Sequence, residues 1–134
     1  MSHLANLLST IQGGIIVRHQ VVDVKRTKLN LEVLRLLQEQ GFINGIFISN
    51  KRLNNVSVFL KYYNNEPVLK GLKIISIPSR RVFVSYDTIM KQLVHSGLFV
   101  VSTSLYGLVC SDEFCKKDTK FLNVGGELLF QIIY

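Results

Sequence analysis

The chain has no tryptophan, two cysteines, two prolines and three histidines in 134 residues, and each scarcity excludes something. Cys110 and Cys115 are too few for a disulfide framework, which needs a denser and more regular pattern, so free thiols in a reducing compartment are expected. A zinc site needs more ligands close by, and His3, His19 and His95 stand in dissimilar contexts without ligand spacing. No metal and no other cofactor is therefore expected. No apolar run reaches the roughly 18 residues of a membrane-crossing helix. The N-terminus lacks the charged start, apolar block and small-residue cleavage site of a secretory signal, and it is not an Arg- and Ser-rich presequence. No membrane partner is expected. Acid is also scarce: 9 Asp and Glu face 16 Lys and Arg, a formal net charge of +7, which favours a polyanionic partner.

What is present is enough for a fold. Hydrophobic residues make up 48% of the chain and charged ones 19%, the balance of a globular domain rather than of a disordered tail. Leu4, Leu7, Leu8 and Ile11 recur at helical spacing and stop at Gly13-Gly14, which predicts a short N-terminal helix. Residues 15–24 are rich in β-branched side chains and read as a strand. A stronger helix is expected from about Thr27 to Gln40, with Leu29, Val33, Leu36 and Leu37 on one side and Gly41 as its terminator.

Residues 42–49 read as a strand, 50–55 as a polar turn, and Val56, Val58, Leu60 and Tyr62 alternate with Ser57, Phe59 and Lys61 in the period of a sheet. Asn64-Asn65-Glu66-Pro67 turns the chain into a strand over 68–77 that Pro78-Ser79 breaks. Beyond that break a short strand is expected at 81–84, a short helix at 86–93 started with the help of Asp87, and a strand at 98–101 feeding a hydroxyl loop. One or two helical turns at 110–117, a charged loop at 116–120 and a closing strand at 127–134 complete the chain. The fold class is α+β: two small associated domains, 1–76 with helix, strand, helix and antiparallel strands, and 77–134, mostly β with a short helix.

Ser102-Thr103-Ser104 is the most informative stretch. The apolar run before it delivers three adjacent hydroxyls to its own end, and Gly107 soon bends the chain away. Such residues suit a surface that exchanges short hydrogen bonds with something packed against the backbone. Three basic clusters accompany it at element ends: Lys25, Arg26 and Lys28; Arg80 and Arg81; and Lys116, Lys117 and Lys120. Loops and helix starts approach a phosphate backbone closely, so these clusters point to nucleic acid. RNA fits better than DNA, because hydroxyls and exposed amides read 2′-hydroxyls and unstacked base edges, and no helix carries the concentrated basic face of a major-groove reader. Two readings from other classes stand beside this one. A basic protein-interaction module without specific RNA recognition would not need the hydroxyls. A small hydrolase would use Ser102 or Ser104 with His95, yet no nucleophile-elbow pattern surrounds either serine. Gly125-Gly126 lacks the lysine and serine of a phosphate-cradling loop, and no small-molecule substrate is expected.

The order of these features resembles the ribosomal protein S-eight family of the small ribosomal subunit. The resemblance is carried by Leu4-Ala5-Asn6-Leu7-Leu8, Thr27-Lys28-Leu29, Glu39-Gln40-Gly41-Phe42-Ile43, Leu60-Lys61-Tyr62, Ser76-Ile77-Pro78, Val100-Val101-Ser102-Thr103-Ser104 with its trailing glycine, and Gly125-Gly126-Glu127. It implies two tightly associated α+β domains, direct binding to the central domain of small-subunit rRNA, neighbouring small-subunit proteins as partners, and no catalysis. Carried onto matching positions, it nominates Ser102, Thr103, Ser104, Gly107, Gly125, Gly126 and Glu127 as RNA-binding, with Lys28 near the RNA backbone. The chain departs from the family at Thr10, Gln12 and Gly13, where arginines and an asparagine are usual, at Ile77 and Ser79, and in a lengthened segment over 112–125. Those losses, with many Ile, Leu, Phe, Asn and Lys residues, point to an organelle-encoded mitochondrial member; a plastid or a bacterial cytoplasm is the alternative.

Overall fold

A computed structural model describes residues 3–48, 54–115 and 123–134. It is mixed α and β, as the composition and periodicities imply, and it divides into two compact units: Met1–Gly71 with Tyr134, and Leu72–Ile133.

The first unit is built on α1 (His3–Val17), β1 (Val21–Lys25), α2 (Lys28–Glu39), β2 (Ile43–Ile48) and β3 (Asn55–Leu60). The sheet order is β1-β3-β2, with β3 antiparallel to both neighbours. β1 and β2 are thus parallel, joined by α2, with β3 inserted between them. In β3 the alternation is clean: Val56, Val58 and Leu60 are buried, while Asn55 and Phe59 are exposed. Leu7, Ile11, Val33, Leu34 and Leu37 of the two helices are buried as well, each 2% exposed or less.

α2 starts where its sequence says it should. Thr27 has extended backbone and its Oγ1 accepts the Asn30 N–H at 3.1 Å, an N-cap. At the other end Gly41 takes φ +83, the left-handed conformation that closes helices, and its N–H donates to the Gln38 carbonyl at 3.0 Å. α1 departs from expectation: it runs through Gly13-Gly14 to Val17. Gly14 is buried against β1, and a Cβ there would collide with the Val22 side chain, so this glycine brings helix and strand together instead of ending the helix. The stop falls at Arg18, with φ +64. β1 consequently begins only at Val21.

A two-residue hairpin follows, β4 (Tyr62–Tyr63) and β5 (Glu66–Pro67). Asn64 and Asn65 form its turn with φ 51 and 65, the positive pair that asparagine tolerates best among side-chain residues. Tyr62 Oη donates to the His19 carbonyl at 2.6 Å.

The second unit contains β6 (Gly71–Ile74), β7 (Phe83–Val84), a helical stretch made of α3 (Tyr86–Thr88), a π-helical segment (Ile89–Leu93) and α4 (Val94–Ser96), then β8 (Leu98–Thr103), β9 (Gly107–Cys110), a 3₁₀ turn (Ser111–Cys115) and β10 (Gly126–Ile133). Its sheet has the order β6-β10-β8-β9, with β7 also pairing β10. Ile89, Phe99, Val101, Val109, Phe114 and Leu128 form the core under the helical stretch. Ser85, whose Oγ accepts the Thr88 N–H at 3.3 Å, is the cap of that stretch, and Asp87 lies in its first turn. Buried Ser111 joins helix to strand: its Oγ accepts the Phe99 N–H at 3.1 Å and donates to the Gly97 carbonyl. The basic cluster Lys116, Lys117 and Lys120, and the turn residues 49–53, lie outside the described residues.

Candidate nucleic-acid interface

Sheet register gathers the nominated residues. Thr103 pairs with Gly107 on one side and Gly126 on the other, and Gly126 continues to Val84. In the next row Ser102 pairs with Leu108 and Glu127, and Glu127 continues to Phe83. Two adjacent cross-strand rows therefore bring Ser102, Thr103, Gly107, Gly126 and Glu127 to one end of the second unit's sheet. Residues far apart in sequence become neighbours because strands stand about 4.8 Å apart.

The three hydroxyls have different environments. β8 runs on through Ser102 and Thr103, so only Ser104 belongs to the loop. Thr103 is 5% exposed and its hydroxyl is spent within the hairpin: Oγ1 accepts the Tyr106 N–H at 3.0 Å and donates to the Gly107 carbonyl at 2.9 Å. Thr103 fixes the turn Ser104-Leu105-Tyr106, which Gly107 leaves with φ +68. Ser102 is half-buried, and Ser104 is exposed at the tip. A hydroxyl both donates and accepts, so Ser104 on a pinned turn can meet either kind of group on a ligand.

Gly125 and Gly126 serve close packing. A Cβ on Gly125 would sit 2.6 Å from the Val84 carbonyl oxygen, and one on Gly126 would overlap the Ser102 carbonyl. Neither position has space for a side chain, so β10 lies tightly against β7 and β8.

Glu127 is held in place by its neighbours. Its carboxylate accepts from Ser76 Oγ at 2.8 Å and from Arg81 Nη1 at 3.1 Å. Ser76, itself buried, also accepts the Val82 N–H at 3.2 Å. Ile77 and Arg80 exchange backbone hydrogen bonds of 3.1 and 3.0 Å around Pro78. The acid thus ties the basic loop 76–82 to the edge of the rows, and its charge offsets one of the loop's two arginines. Arg81 and Arg80 are both exposed.

Phe83 was not among the residues that spacing singles out, although the alternation Val82-Phe83-Val84 marks it as facing away from the core. It is 70% exposed and lies in the same row as Glu127 and Ser102. A bare aromatic face beside hydroxyls and arginines is a platform on which an unstacked base can lie.

Lys25, Arg26 and Lys28 lie in the first unit, all exposed, at the end of β1 and the start of α2. The Arg26 N–H donates to the Asn54 carbonyl at 2.6 Å, which fixes the bend before the helix. Three cations beside the first turn of a 12-residue helix add to the positive end of its dipole, and phosphate is the ligand such a place suits.

His95 is exposed on α4. Among the described residues no group of three or more His, Cys, Asp or Glu could hold a metal ion, and no described helix is long and apolar enough to cross a membrane.

Comparison with known proteins converges on one family. The family model described as Ribosomal protein S8 matches residues 2–133. The small ribosomal subunit protein uS8m of Acanthamoeba castellanii is 34% identical, covering 98% of this chain and 99% of its own length. The small ribosomal subunit protein uS8 of Acholeplasma laidlawii is 36% identical over 94% of this chain and 92% of its own, and that of Bacillus cereus is 34% identical over the same shares.

Proposed function

We propose that this chain, which belongs to the ribosomal protein S8 family and is a structural constituent of the small ribosomal subunit, binds the central domain of the small-subunit rRNA directly and stabilises its fold during assembly and translation. The observation that carries the reading is the cross-strand row that places Ser102, Glu127 and Phe83 side by side, with Ser102 on the strand that leads to the exposed tip at Ser104.

The mechanism is recognition without chemistry. Arg80 and Arg81 neutralise phosphates at the edge of the rows, and Lys25, Arg26 and Lys28 do so from the first unit. Ser104 and Ser102 exchange hydrogen bonds with sugar hydroxyls or base edges of an irregular hairpin, while Thr103 and Gly107 hold the turn that presents them. Gly125 and Gly126 keep the backbone flat enough for close approach, and Glu127 aims Arg81. Neighbouring small-subunit proteins are the other partners. The site of action is the mitochondrial ribosome, with the gene in the organelle: the uS8m relative matches over nearly its full length, and the composition has an organellar cast. The bacterial relatives of similar identity make a plastid or bacterial cytoplasm the alternative.

Ser104→Leu tests the recognition half of this reading. The variant keeps its folded circular dichroism spectrum and loses preference for the irregular rRNA hairpin over a regular duplex. An unchanged preference would remove Ser104 from the interface.

A further inference from the structure

The turn between β8 and β9 carries a leucine at its tip. Leu105 is 73% exposed, and among the described large hydrophobics only Ile16 is more so. The turn beneath it is pinned. Thr103 Oγ1 accepts the Tyr106 N–H at 3.0 Å and donates to the Gly107 carbonyl at 2.9 Å, and Thr103 and Gly107 close the ladder behind. Gly107 then leaves the turn with φ +68. Single apolar side chains on a surface are ordinary. This one has company: it stands two residues beyond Thr103, whose cross-strand row abuts the row of Ser102, Glu127 and Phe83, and Phe83 is itself exposed.

Chemistry narrows what Leu105 can meet there. Its side chain has no donor, acceptor or charge, so phosphates and sugar hydroxyls gain nothing from it. The apolar surfaces of RNA are the faces of its bases, which a regular duplex hides in the stack and an irregular one exposes. A branched aliphatic side chain is no flat platform like Phe83, but such side chains enter opened base steps as wedges. The wide, shallow minor groove of A-form RNA admits a three-residue turn, so Ser104 can lie among the 2′-hydroxyls while its neighbour reaches a base. We propose that Leu105 is a specificity-determining residue: it enters the irregular step of the bound RNA hairpin and packs against an unstacked base face, so that a duplex with every base stacked is disfavoured. The proposal rests on the RNA-binding reading above and names the feature of the RNA that the tip selects.

The test uses the whole protein, the central-domain hairpin of its own small-subunit rRNA and a length-matched regular duplex. 2-Aminopurine replaces the unpaired purines of the hairpin one at a time. Wild-type protein is expected to brighten at least one of these positions on binding, because a wedged base leaves its stack. Leu105→Ala should bind the hairpin about five- to thirtyfold more weakly, the worth of the apolar surface removed, and the duplex as wild type does. At saturating protein it should lose the brightening. Its salt slope and melting temperature should stay as in wild type, since no charge and no buried group is lost. Leu105→Met, which keeps the apolar length, should retain both preference and brightening. Wild-type preference and brightening in Leu105→Ala would overturn the proposal and leave the tip to a neighbouring protein. Equal losses on hairpin and duplex would overturn it too, making Leu105 a contact without selectivity. Failure of the wild-type protein to prefer the hairpin over the duplex is the separate result that would bring down the RNA-binding reading first, and this proposal with it.

Discussion

Glu127 stands directly across from Ser102 in the pairing of β10 with β8, yet its carboxylate accepts from Ser76 and Arg81, on the loop before β7. An acid at the edge of a basic surface is thereby a positioning group. It holds the loop that carries two arginines and leaves the Ser102 hydroxyl uncommitted to it.

Replacing Glu127 should therefore act through that loop. The Arg81 half of the network is solvent-exposed, with 59% of its side chain accessible, and contributes little to stability. The buried Ser76 hydroxyl loses its acceptor. Glu127→Ala is expected to cost about 1–2 kcal/mol in denaturant unfolding and to speed hydrogen exchange at Val82, whose N–H is bonded to Ser76 Oγ. A cost below 0.5 kcal/mol, on the order of a neutral surface change, would show that the loop holds itself.

Thr103 and Ser104 are adjacent hydroxyls with separable roles. Thr103→Val keeps the shape and removes both hydrogen bonds of the turn, so unfolding should cost about 1–3 kcal/mol. Ser104→Ala should change stability by less than about 0.5 kcal/mol. Both should weaken hairpin binding, which a denaturation series run beside a binding titration would separate. Equal stability in the two variants would contradict the assignment.

Glycines offer a third contrast. Gly126→Ala forces a Cβ onto the Ser102 carbonyl where β10 is paired with both β7 and β8, so that backbone cannot yield cheaply, and should cost more than about 2 kcal/mol. Gly13→Ala meets nothing within 4 Å in the interior of α1 and should stabilise by about 0.5–1 kcal/mol. Thermal melts of the two variants should move in opposite directions.

Local signals were the legible part of this fold. The Thr27 cap and the Gly41 terminator bracket α2 in the sequence much as they do in the structure. The end of α1 was not legible, because a glycine pair at the end of a periodic run looks like a stop. Only the approach of β1 shows that Gly14 is there for contact. The hydroxyl run read as a loop for a similar reason: strand pairing to Leu108, Gly107 and Glu127 draws Ser102 and Thr103 into β8, and pairing is a long-range property. The partnership of Ser76 with Glu127 spans 51 residues and follows from no spacing rule. Phe83 had a weak signal in its alternation, but its place in the row of Ser102 needed the register.

The central claim is that the end of the second unit's sheet recognises an irregular rRNA hairpin and does not merely attract charge. Its most direct test is a salt series of binding to the central-domain hairpin of the protein's own small-subunit rRNA, beside a length-matched regular duplex. The log of affinity should fall with the log of salt by about 0.7–0.9 for each phosphate neutralised on both RNAs, and the preference for the hairpin should persist as the salt rises. Equal binding to the two RNAs, erased together by moderate salt, would contradict the claim and leave a basic protein-interaction surface in its place.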